Sequence, residues 1–306
     1  MLADSTETFR VPTTADIPRL QTLFEEVFRE ERDERIWRWK YFDNPRGQTS
    51  LVCEAAGRVI AHCGGIPVRF RDYDSDSVAL QSVDFMSSPS YPGGSGRGGV
   101  FVRTADRFFA TFCGPAKVPL VYGFPGERHR ILGERVLGYR PVEPVGELRL
   151  ESRKADASIE SLTEGDLSFF SRVPFEMGAF RDPVYLRWRY LDHPLNRYGK
   201  VAIRRPFGMG MQIAALVRRA GEVVYVMEVA GRFSRRNSER LVAQLARLGS
   251  PVVFWGPPSH PVTRTLSEAG FSVTARDHWF ELRSFTQRPL PRPGGFYYTL
   301  GDYDVY

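Results

Sequence analysis

The hydrophobic pattern of the first ninety residues changes from a helical to a strand-like period. After Thr14, apolar residues recur three or four positions apart over 17–28, which predicts an amphipathic helix. Apolar and polar residues then alternate over 51–70 around an Ala-Gly pair at 56–57, which predicts a β-hairpin. A further strand is predicted over 78–88. Helices and hairpins in this order indicate an α+β (mixed α/β) fold.

A glycine-rich run, Tyr-Pro-Gly-Gly-Ser-Gly-Arg-Gly-Gly, covers 91–99 and joins that strand to a predicted helix over 100–112. Unpaired backbone amides and the helix dipole make such a position suitable for a phosphate group. A dinucleotide fingerprint does not fit, because its G-x-G-x-x-G must come directly after a first strand and this glycine run follows a later one; no Gly-Lys-Ser/Thr of a triphosphate loop follows either. The alternative interpretation is an ordinary flexible turn.

One motif occurs twice in the chain. Residues 39–45, Trp-Lys-Tyr-Phe-Asp-Asn-Pro, recur at 188–194 as Trp-Arg-Tyr-Leu-Asp-His-Pro, with four identical positions and a Lys-to-Arg exchange at a fifth. Each copy precedes a hairpin pattern, and the strand, break and helix of 118–139 match those of 251–271. We therefore predict two related domains, 1–150 and 165–306, with a polar linker over 151–164.

Composition narrows the class of protein. A chain of 306 residues with 42% hydrophobic residues suits two ordinary globular domains. The net charge of +6 favours anionic partners, but the arginines are dispersed, so nucleic acid is not expected to bind. No apolar run could span a membrane and the three cysteines form no C-x-x-C pair, which favours a cytoplasmic protein. We expect a monomer or a homodimer. Scattered histidines predict no metal site.

The strand 82–89, the loop end Gly96-Arg97-Gly98-Gly99, the helix start Val100-Phe101 and the ending Leu137-Gly138-Tyr139 together resemble the GNAT N-acyltransferases. The repeated motif and the segment 300–304 resemble bacterial tandem-GNAT chains, so the resemblance covers nearly the whole chain. It implies two tandem GNAT-like domains, each a mixed, mostly antiparallel twisted sheet flanked by helices. The second loop, 230–239, has one glycine and an expected Asn237/Ser238 helix cap, which predicts a degenerate copy.

The resemblance implies transfer of an acyl group from acetyl-CoA or another acyl-CoA to an amine of a small molecule or peptide, by direct attack. Arg103 is a further candidate for a phosphate contact, beside the loop residue Arg97. The positions expected to bind acyl-CoA are Phe85, Met86, Ser87, Gly94, Ser95, Gly96, Arg97, Gly98, Gly99 and Val100.

Asp84 is the candidate general base, because burial in an apolar strand would raise the pKa of its carboxyl. An equally weighted interpretation is that Asp84 only hydrogen-bonds a loop or the acceptor ammonium. Glu54 and His62 are weaker substitutes, and Tyr122 is expected at the entrance for the acceptor.

The proton donor is less clearly marked. Many family members have a tyrosine four residues before the glycine of their Leu-Gly-Phe ending, and this chain has Glu134 there. Tyr122 and Tyr139 are nearby replacements, and Tyr306, at the end of a docked tail, is a further candidate. Two alternatives remain open: a transferase that uses aminoacyl-tRNA or acyl-carrier protein as donor, and a non-catalytic acyl-CoA-binding module.

Overall fold

The computed structural model describes residues 6–72, 75–91, 98–152, 155–172, 175–208, 210–287 and 289–303. The chain forms two compact units, which we call unit 1 (1–69, 77–141 and 281–289) and unit 2 (70–76, 142–280 and 290–306). Both units are discontinuous along the chain, unlike the contiguous domains on either side of a linker that the sequence predicts.

The elements from the start of the chain to the middle are as follows: β1 (Thr8–Arg10), α1 (Ile17–Phe28), α2 (Glu34–Trp37), a π-helical turn (Arg38–Phe42), β2 (Thr49–Ala55), β3 (Arg58–Asp72), β4 (Ser75–Ser87), α3 (Val100–Phe112), β5 (Leu120–Gly123), α4 (Glu127–Val136) and β6 (Arg140–Leu150). The second series is β7 (Glu160–Ser161), α5 (Glu164–Phe170), β8 (Met177–Ala179), α6 (Pro183–Leu186), a π-helical turn (Arg187–Leu191), β9 (Gly199–Arg204), β10 (Met211–Ala220), β11 (Val223–Gly231), α7 (Arg235–Leu245), β12 (Val252–Gly256), α8 (Pro261–Glu268) and β13 (Ser272–Ser284). Apart from β8, the second series repeats the order of the first, which extends the repeat seen in the sequence.

Each unit contains a mixed, mostly antiparallel sheet. In unit 1 the strand order is β1-β2-β3-β4-β5, followed by the last four residues of β13, which pair antiparallel with β5. In unit 2 the order is β6-β12-β11-β10-β9-β7, and β8 pairs with the end of β3. The parallel pair β4–β5 in unit 1 corresponds to the parallel pair β11–β12 in unit 2. The predicted mixed α/β class is confirmed.

The core of unit 1 is built on the aromatic face of α3. Ala105, Phe108 and Phe109 are buried against Leu80 of β4 and Val121 of β5. Burial of one large apolar side chain contributes about 1.5–3 kcal/mol, so this face fixes α3 on the sheet. None of the helices that the structure describes has the length and apolarity needed to cross a bilayer.

Candidate active site

Strands β4 and β5 separate after a short paired stretch. Ala79–Gln81 pair in parallel with Leu120–Tyr122, and the Ser82 hydroxyl donates to the Tyr122 carbonyl at 3.0 Å. β5 then ends at Gly123, while β4 continues to Ser87. The second half of β4 therefore extends past its partner, and main-chain amides on such an edge can bind a ligand by adding to the strand.

The backbone of β4 changes direction in this stretch. Asp84 has φ of 51°, in the left-handed region that side chains rarely adopt. A residue of this kind within a strand re-aims its neighbours, as in a β-bulge. Beyond it, Phe85 packs on Phe108 and Phe109, and Met86 is buried. Ser87 is half-buried, at the end of the strand.

The glycine-rich run precedes α3, whose N-cap residue is a glycine. Gly94, Ser95, Gly96 and Arg97 lie outside the described residues, so their predicted role stays a prediction. Gly99 is the N-cap of α3 and has no side chain to cap it, so among the described residues no side chain occupies the amides of the first turn from Val100. A Cβ atom on Gly98 would have no neighbour within 4 Å, so within the part of the chain that the structure describes nothing crowds this position.

Arg103, in the first turns of α3, is engaged within the protein. Its Nε donates to Glu7 at 3.0 Å, its Nη2 also donates to Glu7, and Nη1 donates to the carbonyl of Gly98. The Tyr91 hydroxyl reaches the same carboxylate at 3.3 Å. These contacts tie the N-terminal segment to the helix start, and a phosphate contact by Arg103 would have to replace them.

Asp84 lies in a buried cluster of hydrogen-bond donors. Its carboxylate accepts from Arg32 at 2.7 and 2.9 Å, from Lys40 at 3.0 Å and from the Tyr41 hydroxyl at 2.7 Å. Burial alone would raise the pKa of Asp84, but the nearby Arg32 and Lys40 cations outweigh it and hold that pKa well below its usual range. The expected rise in the pKa of Asp84 is therefore wrong. A carboxylate that is ion-paired in this way is a weak proton acceptor.

The substitutes for Asp84 are engaged as well. His62 is fully buried, its Nδ1 lies 2.9 Å from the Asp84 carbonyl, and burial lowers the pKa of its ring to about 4. His62 is therefore neutral near pH 7. Glu54 accepts a hydrogen bond of 2.6 Å from Arg10. Both side chains serve contacts within unit 1.

The predicted proton donors differ in how far they are exposed to solvent. Tyr122 and Tyr139 are both buried, and burial raises the pKa of Tyr139. Glu134, on α4, is half-exposed and bound to Arg130 at 3.0 Å. Tyr306 lies outside the described residues. The roles assigned to these side chains stay predictions.

Comparisons with known proteins bear on the fold. No protein-family model matches the chain, and no curated protein matches its sequence. Among solved structures, a GCN5-related N-acetyltransferase from Anabaena variabilis matches with a TM-score of 0.63 at 14% identity, over 92% of this chain and 73% of that one. N-myristoyltransferase of Saccharomyces cerevisiae, solved with bound myristoyl-CoA, matches with a TM-score of 0.62 at 10% identity, over 96% of this chain and 83% of that one.

The chain has the GNAT fold. A GCN5-related N-acetyltransferase from Kribbella flavida gives the same result, with a TM-score of 0.62 at 12% identity over 92% of this chain and 71% of that one. The TM-scores establish a shared fold. At identities this low, the chemistry of this chain has to be argued from its own residues.

In unit 2, the opening between the parallel strands of the GNAT fold is filled by the chain's own tail. β11 and β12 pair only over Val224–Val226 and Val252–Phe254, and the helical turn Leu300–Asp302 lies against both strands. The Thr299 hydroxyl donates to Glu228 at 3.1 Å, and the Tyr303 ring lies 4.7 Å from that of Trp255. A Cβ atom on Gly301 would overlap both the Tyr190 hydroxyl and the Glu228 carboxylate, so only glycine fits here.

The helix start of unit 2 also differs from that of α3. The hydroxyl of Ser234 caps α7 by accepting from the amide of Asn237 at 3.3 Å, and the Asn237 side chain donates to the Arg232 carbonyl at 2.9 Å. The cap is therefore Ser234, and the prediction of a cap at Asn237/Ser238 was wrong by three or four residues. A capped helix start offers fewer amides to a phosphate than the start of α3 does.

The duplication includes a buried carboxylate cluster. Glu228 of β11 accepts from Arg181 at 3.0 Å and from the Tyr190 hydroxyl at 2.9 Å, as Asp84 of β4 accepts from Arg32 and Tyr41. In both units the tyrosine belongs to the repeated motif. Because unit 2 retains the cluster beside a filled opening, we interpret it as an anchor for the motif and not as catalytic machinery.

Sequence reasoning missed Glu281. This residue on β13 is 5% exposed, and its Oε2 has no hydrogen-bond partner among the described residues. It pairs with Gly123, 158 positions earlier in the chain, so no local pattern could place it in unit 1. Burial raises the pKa of Glu281 to about 8, which marks it as a protonatable group in the interior.

Proposed function

We propose that the protein is an acyl-CoA-dependent N-acyltransferase, with acetyl-CoA as the simplest donor, and that unit 1 binds the donor. One observation carries the proposal: the part of β4 that extends past β5 is followed, after the glycine-rich run, by a helix start that no side chain of the described residues caps. The strand edge suits a pantetheine chain, and the amides of the helix start that follows suit the diphosphate attached to it.

In this proposal the amides near Phe85–Ser87 hold the thioester, and those from the loop to Val100 hold the diphosphate. The acceptor is an amine of a small molecule or peptide, which enters beside Tyr122 and attacks the carbonyl carbon directly. Unit 2 binds no acyl-CoA, because its opening is filled and its helix start is capped. Asp84 holds the bend in β4 and does not act as the base in this proposal.

The test is ligand-dependent thermal stability. A ligand that binds only the folded state stabilises it by about 2.7 kcal/mol at a concentration of 100 Kd, so saturating acetyl-CoA or coenzyme A should raise the melting temperature. The variant Gly98→Leu should abolish that rise. The position has open space around it, so the leucine should leave the free protein folded while it blocks the approach of a phosphate.

Gly165→Leu is the matched control, because a Cβ atom there meets only the Thr163 hydroxyl, at 3.8 Å, at the start of a helix in unit 2. Its melting temperature should rise with coenzyme A as in the wild type. A wild-type protein that does not respond to coenzyme A or acetyl-CoA would rule the proposal out. Salt-sensitive binding of tRNA in place of that response would favour the aminoacyl-tRNA alternative.

A further inference from the structure

Glu281 occupies an unusual position at the end of β13. It lies directly opposite Gly123 in the antiparallel pairing of β13 with β5. Its carboxyl is buried, yet Oε2 has no hydrogen-bond partner among the described residues. A buried polar atom without a hydrogen-bond partner costs stability, so its presence in the fold indicates a role beyond packing.

Gly133 leaves room for this carboxyl, and Gly123 leaves room for the neighbouring Ser82 hydroxyl. A Cβ atom on Gly133 of α4 would lie 3.1 Å from Oε1 of Glu281, so the carboxyl packs directly on the helix backbone. A Cβ atom on Gly123 would lie 2.6 Å from the Ser82 hydroxyl. Opposite residues of an antiparallel pair face the same side of the sheet, so Glu281 and Ser82 flank Gly123 on one face.

That face borders the point where β4 and β5 separate, since Ser82 follows the last β4 residue that pairs with β5. The residues expected to hold the thioester begin three positions further along β4, about 10 Å away at the usual rise of a strand. The Glu281 side chain faces the same side of the sheet as Gly123, so its carboxyl lies on the face that borders the near end of the opening.

We propose that Glu281 is the catalytic residue that protonates the leaving thiolate in the acyl transfer. This inference rests on the proposed function, because it requires a thioester in the opening of unit 1. It also supplies the group that the sequence lacks at Glu134, where many relatives have a tyrosine.

The proton balance is simple. The amine nitrogen attacks the thioester carbon, the C–N bond forms, and the C–S bond breaks as its electron pair moves to sulfur. Glu281 gives its proton to that sulfur and becomes a carboxylate. The nitrogen loses one proton, which returns through solvent to Glu281, so the products are the amide, the free thiol and the original enzyme.

The surroundings suit this role near neutral pH. Burial raises the pKa of Glu281 to about 8; Arg130 on α4 opposes this change and Glu134 on the same helix reinforces it. Tyr139 lies after α4, and the charge of Glu281 contributes to the raised pKa of its hydroxyl. The thiol of a cysteine has an ordinary pKa of about 8.5, so proton transfer between similar groups is nearly balanced in energy.

The experiment compares Glu281→Gln with the control Glu127→Gln. The Glu127 carboxylate is exposed, lies on α4 and binds Arg130. Thiol release from acetyl-CoA is followed with spermidine, tyramine and lysine amide as acceptors, from pH 6 to 9.5. We expect Glu281→Gln to keep the thermal response to acetyl-CoA and to lose about 100-fold or more in kcat. The wild-type rate should fall as pH rises through about 8, and this decline should be missing in the variant.

Unchanged turnover in Glu281→Gln, with the acetyl-CoA response intact, overturns the proton-donor assignment and leaves the proposed function standing. No acetyl-CoA response in the wild type overturns both. If Glu281→Gln does not fold, Glu281→Asp decides: a folded variant with a displaced high-pH decline supports the assignment, and one with the wild-type profile overturns it.

Discussion

The replacement Glu281→Gln should also change how stability depends on pH, whatever the protein catalyses. The folded state holds the carboxyl protonated up to a pKa of about 8, whereas the unfolded chain releases the proton near 4.5. A pKa that folding raises gives stability that is fully present below pH 4.5 and is lost as pH rises to about 8. Glutamine resembles the protonated carboxyl at every pH, so the variant should lack this loss.

The magnitude follows from the gap between the two pKa values. At 1.36 kcal/mol per pKa unit, the change from 4.5 to about 8 corresponds to about 5 kcal/mol over the full window. Between pH 5 and pH 8, about 3.5 kcal/mol of this loss should be visible. The free energy of unfolding of Glu281→Gln, relative to the wild type, should rise by that amount over the interval.

Urea unfolding at pH 5, 6, 7 and 8 measures the difference, because contributions from all other groups cancel between two chains that differ at one residue. Glu127→Gln is the control, since its carboxylate is exposed and its difference from the wild type should stay nearly constant. A constant difference for Glu281→Gln as well would show that the carboxyl is ionised in the folded protein at neutral pH, and would refute the reasoning.

Two further predictions concern the buried clusters. Asp84→Asn should lower the free energy of unfolding by about 3–5 kcal/mol, because it leaves buried cations without their carboxylate; a urea midpoint within experimental error of the wild type would contradict this. Gly301→Ala should release the tail from unit 2, because the added methyl group overlaps Tyr190 and Glu228, and limited proteolysis should then cut near residue 295; an unchanged digestion pattern would count against the described packing.

The elements with a strong local pattern could be predicted from the sequence. Helix α3 follows from apolar residues at helical spacing, and the strand before it follows from its flanking turns. The repeated Trp-x-Tyr motif predicted the duplication, which the matching order of elements in the two series extends. In each case neighbouring residues carry the information, because a helix or a hairpin satisfies most of its hydrogen bonds locally.

The electrostatics of the candidate site could not be predicted in this way. Asp84 in an apolar strand suggested a raised pKa, and its actual partners, Arg32 and Lys40, lie 52 and 44 positions away. Glu281 is still more remote, since it enters unit 1 only through the pairing of β13 with β5. A charge in the interior takes its properties from whichever groups the topology brings near, and one sequence does not encode that proximity in any short pattern.

The filled opening of unit 2 has a consequence for how this half of the chain must assemble. Thr299 and Asp302 add hydrogen bonds to the buried ion pair of Arg181 and Glu228, and Asp302 brings a second carboxylate to that arginine. Until the tail has docked, this ion pair lacks those hydrogen bonds and is open to water. Docking of residues 296–303 therefore completes the interior of unit 2, and refolding of unit 2 should wait for it.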